Sequence, residues 1–127
     1  MGKTTPAGFA LGNVTVDSCL TSRLVWAFGG KLVDEQNKVV ISSPQTLQAL
    51  EYAKELYPNF MPGTLSWLDP NNNKAFLDGQ LGLTANGISI YYAAKTSKDE
   101  KMQEIAKDII HAKLPNGVDG KPAVQNL

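Results

Sequence analysis

The sequence is poor in the residues that build cross-links, metal sites and active sites. Its one cysteine, Cys19, has no partner for an internal disulfide, which excludes a small domain held together by cross-links; a lone thiol ordinarily serves as a small buried apolar group. The one histidine, His111, has no second histidine and no cysteine pair to share a metal with, and reads as structural. No serine or cysteine has a recognisable histidine base and no carboxylates pair, so a catalytic constellation is missing. No run reaches the roughly 18 consecutive apolar residues of a membrane-spanning helix. Charge of one sign is not in excess either: 12 basic residues cancel 12 acidic ones, which argues against a nucleic-acid partner or an anionic membrane surface. The start, Met1-Gly2-Lys3-Thr4-Thr5-Pro6, has no apolar core and does not read as a secretory signal. Gly2-Lys3-Thr4 echoes the end of a phosphate-binding loop without the strand and glycines that must precede it, and Asn13-Val14-Thr15 matches a glycosylation acceptor too common to carry weight.

What is present suits one domain. A hydrophobic fraction of 43% and a charged fraction of 19% over 127 residues are ordinary for a globular chain. Pro6-Ala7-Gly8 opens onto Phe9-Ala10-Leu11, which reads as a short strand, and Gly12-Asn13 turns the chain. Asp17 is placed to cap a helix in which Leu20, Leu24, Ala27 and Phe28 recur at helical spacing, with Trp26 on its core side and Gly29-Gly30 at its end. Residues 31–34 and 38–41 flank Glu35-Gln36-Asn37 in the manner of a β-hairpin. Ser43-Pro44 marks a second helix start, with Leu47, Leu50, Ala53 and Tyr57 expected on the inner face and Pro58 as the stop. Near the end, Ser97 is expected to cap a helix with Asp99 and Glu100 in its first turn and Met102, Ile105 and Ala106 inside. Residues 108–114 read as a return strand, although 105–109 also suit a continuing helix. Helices alternating with short strands point to an α/β layered domain.

The most informative stretch is Ser66-Trp67-Leu68-Asp69-Pro70-Asn71-Asn72-Asn73-Lys74-Ala75-Phe76-Leu77-Asp78-Gly79, followed by Leu81-Gly82-Leu83-Thr84-Ala85-Asn86-Gly87-Ile88-Ser89-Ile90-Tyr91-Tyr92. Asp69 followed by proline has the form of a helix cap, and Gly79 sits where a helix leaves through a left-handed residue. Leu81, Leu83 and Ala85, bounded by Gly79 and Asn86-Gly87, read as a strand entering a turn. The turn brings a hydroxyl and two amphipathic rings, Ser89, Tyr91 and Tyr92, close to exposed backbone.

The order Trp67, Asp69, the asparagine run, Ala75-Phe76, Gly79 and the apolar run into Asn86-Gly87 resembles the extracellular solute-binding proteins of bacterial ABC importers, especially the sugar-binding family 1. Trp26-Ala27-Phe28-Gly29-Gly30-Lys31-Leu32-Val33-Asp34 and Leu114-Pro115-Asn116-Gly117-Val118-Asp119-Gly120-Lys121 resemble two further landmarks of that family. The resemblance implies a lobe like those of type 2 periplasmic binding proteins, with helices packed on a small mixed sheet and a β-hairpin. It implies that residues 1–127 are a single domain, most of the C-terminal lobe of a longer two-lobe protein. Residues 1–5 are then an added start or linker, 6–122 the lobe and 123–127 a tail toward the hinge. It implies a non-catalytic component of an importer, periplasmic or extracellular, with no cofactor and no metal. Its expected partners are a sugar-like small molecule, the missing N-terminal lobe, the membrane permease of an ABC importer and, through apolar surface left bare, a second copy of itself; nucleic acid is not among them.

Sugars are held by flat rings over their C–H faces and by amides, carboxylates and hydroxyls that replace water around their OH groups. The ligand-binding candidates are therefore Asp17, Trp67, Asp69, Asn86, Gly87, Ser89 and Tyr91, with Tyr92 and Asn71 as further ring and amide sources. Asp17 and Asp69 also suit helix capping, and Trp67 suits core packing as well as a cleft. In the maltose-binding branch a stacking aromatic aligns with Ser89; serine there argues against a long stacked oligosaccharide and shifts stacking to Tyr91 or Trp67. The rival readings are a ligand-sensing lobe of a regulator and a non-catalytic subdomain of an α/β enzyme.

Overall fold

The computed structural model describes residues 6–12 and 20–122, so the cap expected at Asp17 lies outside the described residues. Among the described residues five α-helices run in chain order: α1 (Leu20–Ala27), α2 (Pro44–Leu56), α3 (Asp69–Leu77), α4 (Ser89–Thr96) and α5 (Glu100–Asp108). Short 3-10 turns occupy Tyr57–Asn59 and Thr64–Ser66. The described chain divides into two compact units, one of residues 6–12 with Asn59–Ala112 and one of Leu20–Pro58 with 113–122.

In the second of these units α1 packs against α2. Gly29, at φ 78°, closes α1: its N–H donates to the Trp26 carbonyl at 2.9 Å and the Gly30 N–H to the Val25 carbonyl at 2.8 Å, the two bonds of a Schellman end. The remaining Ala27 carbonyl accepts the Val118 N–H at 2.8 Å. That contact requires glycine at 117, where a Cβ would stand 2.4 Å from the Ala27 oxygen. α2 starts as its sequence dictates, with Pro44 in the first turn and the Ser43 hydroxyl accepting the Thr46 N–H at 3.2 Å. Its buried face is not the expected one. Thr46 and Ala49 are buried, whereas Leu47 and Leu50 are 58% and 46% exposed. The small residues win because the backbone after α1 approaches closely; a Cβ on Gly30 would lie 3.1 Å from the Thr46 hydroxyl.

In the other unit the helices α3, α4 and α5 pack in sequence order around Ala75, Ile90, Ala94 and Ala106, with Ala10 and Leu81 buried beside them. Gly79, at φ 72°, ends α3 as expected, its N–H on the Phe76 carbonyl at 3.0 Å and the Gln80 N–H on the Ala75 carbonyl at 2.9 Å. α5 is capped two residues later than expected: Asp99 accepts the Lys101 N–H at 2.9 Å, while Ser97 accepts the Asp99 N–H at 3.1 Å.

The expected α/β lobe with a mixed sheet and hairpin is not what forms: among the described residues helix is the dominant regular structure and there is no sheet. Among the described residues β-pairing is limited to isolated bridges. Ala7 pairs in parallel with both Phe60 and Leu83, through Met61 N–H to Ala7 O at 2.8 Å and Gly8 N–H to Leu83 O at 3.0 Å. The ladder stops there because the next amides turn elsewhere, Leu11 N–H to the Thr64 carbonyl at 3.1 Å and Gly12 N–H to the Trp67 carbonyl at 3.0 Å. The expected hairpin reduces to one antiparallel bridge, Val33 with Val39, around a turn in which Asn37 takes φ 60° and the Asp34 carboxylate accepts the Gln36 and Lys38 N–H groups, each at 2.9 Å. Its apolar residues Leu32, Val33, Val39 and Ile41 are all exposed, and a pair of short strands without a covered face does not propagate. The return strand expected over 108–114 is absent too: α5 continues to Asp108 and irregular chain follows.

Candidate functional site

Three consecutive asparagines at the start of α3 take three different tasks. Asn71 Oδ1 accepts the Leu68 N–H at 2.7 Å and so closes the helix start from inside. The expected cap at Asp69 is thereby corrected: Asp69 is the first helical residue, Leu68 stands in the capping position, and the Asp69 side chain lies outside what the structure describes. Asn72, buried to 1% exposure, directs its Nδ2 to the Thr84 hydroxyl at 3.1 Å and, more loosely, to the Ala85 carbonyl at 3.5 Å. Asn73 Oδ1 accepts a hydrogen bond from the Asn86 side-chain amide. Asn86 in turn receives the Gly87 N–H on its Oδ1 at 2.7 Å. The asparagine run thus anchors residues 84–87.

Those anchored residues form one side of a small depression of about 80 Å³. Phe76, Thr84, Asn86, Gly87, Ile90 and Tyr91 line it, and the chain leaving α5 completes it with Ile109, Ile110 and His111. The Tyr91 ring meets the His111 ring edge-on, with centroids 5.4 Å apart and planes at 80°. From one turn further along α4, the Lys95 ammonium lies 5.3 Å from the Tyr91 centroid, within cation–π range. A flat ring, an amide side chain, the backbone at Gly87 and an imidazole therefore line one depression.

Residues 7–125 match the family described as bacterial extracellular solute-binding protein. The chain belongs to that family. No curated protein and no solved structure matches it significantly. A solute-binding protein serves transport: it holds a small molecule outside the cytoplasm for delivery to a transporter, and the family is non-catalytic.

Within this solute-binding protein the sequence-derived candidates separate. Asn86, Gly87 and Tyr91 come together in the depression. Ser89 opens α4 and is exposed without lining it. Trp67 is half-buried elsewhere in the same unit, where a Cβ on Gly8 would touch its ring edge at 3.0 Å. Asp17 lies outside the described residues. Sequence reasoning passed over Phe76, Thr84 and His111. Phe76 entered as part of the family motif and His111 read as merely structural, because nothing local shows that the segment after α5 returns to α4. α4 itself escaped notice, although Ile90 and Ala94, both buried and four residues apart, carry its period. Among the described residues no group of histidine, cysteine and carboxylate side chains is arranged to hold a metal.

Proposed function

We propose that this chain is the C-terminal lobe portion of the substrate-binding component of a bacterial ABC importer, and that its depression is one wall of a site for a sugar or a related polar solute. The observation that carries the reading is the convergence of the Tyr91 ring with the Asn86 amide and the Gly87 backbone. A ring covers an apolar sugar face, and amide groups replace water at its hydroxyls. At about 80 Å³ the depression holds only part of a saccharide, in keeping with a second wall supplied by another lobe. The exposed Val39, Ile41, Leu47 and Val118 support the same reading, as apolar surface that a larger protein covers and that favours self-association when bare. Closure of two lobes on the solute is then a hinge motion that readies the complex for the permease.

Isothermal titration calorimetry with glucose and maltose tests this. Saccharide heats are expected, and Tyr91→Ala is expected to weaken binding about tenfold, ~1.4 kcal/mol. Saccharide affinity unaffected by both Tyr91→Ala and Asn86→Ala, or equal in this chain and a longer two-lobe parent, would overturn the proposal.

A further inference from the structure

Asn72 is an expensive residue to keep. It is 1% exposed, and while its Nδ2 is bonded, its Oδ1 is buried without a partner. Leaving a buried acceptor unmatched is unfavourable, so the bonds made by the other end of the amide must justify the residue. Those bonds go to Thr84 and Ala85. One residue further along α3, Asn73 holds Asn86, and Asn86 holds the Gly87 N–H. Every residue from 84 to 87 is therefore tied, directly or through one relay, to two adjacent side chains of one helix. Thr84, Asn86 and Gly87 line the depression, while Asn72 and Asn73 do not.

We infer that Asn73, backed by Asn72, is a positioning residue for the solute site: it fixes the Asn86 amide so that Asn86 and Gly87 present their remaining hydrogen-bonding capacity to the solute in one orientation. This rests on the proposed site and adds to it the element that sets its geometry. Asn86 has one Nδ2 proton engaged with Asn73 and one Oδ1 lone pair engaged with Gly87. An amide offers two donors and two lone pairs, so one of each is left. Without Asn73 the side chain is held only by the Gly87 N–H, and the solute must then order it further on binding, an entropic penalty that lowers affinity without removing any contact to the solute.

The atom that matters on Asn73 is an oxygen acceptor, which makes the proposal testable by rescue. Asn73→Asp keeps that oxygen, Asn73→Ala removes it, and Asn73→Ser is too short to reach. In the 15N-labelled chain, Asn73→Ala and Asn73→Ser are expected to shift the Asn86 side-chain and Gly87 backbone amide signals and to speed Gly87 exchange about five- to tenfold, the loss of roughly one hydrogen bond. The Ala94 signal and the thermal midpoint should hold nearly steady, and Asn73→Asp should restore the wild-type pattern. Maltose titrated calorimetrically should bind about tenfold more weakly to the alanine and serine variants and normally to the aspartate variant. Unmoved Asn86 and Gly87 signals in the two folded variants, or failure of aspartate to restore them, overturns the inference whatever maltose does. If those signals respond as expected but the wild-type chain takes up no maltose, the positioning stands and the sugar reading falls.

Discussion

The two units of this solute-binding protein use their polar side chains differently. In the unit of α1 and α2 they serve their own stretch of backbone: Ser43 reaches Thr46, Asp34 reaches Gln36 and Lys38, and Asp119 reaches Lys121. In the unit of α3, α4 and α5 the informative bonds span 12 or 13 residues, from Asn72 to Thr84 and from Asn86 to Asn73. Local bonds stop helices and shape turns. Long-range bonds between side chains fix one segment against another, and the segment they fix is the one that lines the depression.

The contrast is sharpest at Asn72. Replacing it with alanine leaves the half-buried Ala85 carbonyl and Thr84 hydroxyl without their partner and is expected to lower stability by about 1–3 kcal/mol, measured by urea unfolding. A loss below 0.5 kcal/mol would show that water takes over the Asn72 bonds and would erase the distinction between the units. A smaller effect is expected at the local cap: Ser43→Ala should cost about 1 kcal/mol by the same measurement, since it frees a single helix-start amide. The smallest belongs to Leu47→Gln. Although the heptad-like spacing of α2 marks this leucine as inward, it is exposed, and its replacement should change stability by no more than about 0.5 kcal/mol. A loss of several times that amount would mean that Leu47 is covered after all, as it would be in a self-associated chain.

These outcomes also bear on what was legible in the sequence. Helix punctuation was, because it depends on neighbours: Ser43-Pro44 starts α2, Gly29-Gly30 ends α1 and Gly79 ends α3. The sheet was not, because a strand exists only if a distant partner offers a matching ladder, and the amides of Leu11 and Gly12 are claimed by the chain around Thr64 and Trp67 before one can grow. Periodicity found α2 but chose its wrong face, since spacing shows that a face exists and not what approaches it; Gly30 comes close to Thr46, which is buried, as is Ala49. For the site, Asn86, Gly87 and Tyr91 were readable as a turn beside a ring, whereas Phe76 and His111 joined them only through the folding of α3, α4 and α5. The asparagine run is visible in the sequence as part of a motif, and its meaning lies in bonds that no local pattern displays.

Trp67 has a practical consequence. Its indole edge rests beside Gly8, its carbonyl receives the Gly12 amide, and its ring does not line the Asn86 and Tyr91 depression of the same unit. Emission from this indole therefore reports whether residues 6–12 are seated, and a silent Trp67 signal during a saccharide titration is compatible with a filled site. The Tyr91 signal, or a label placed on α4, is the optical window on the proposed site.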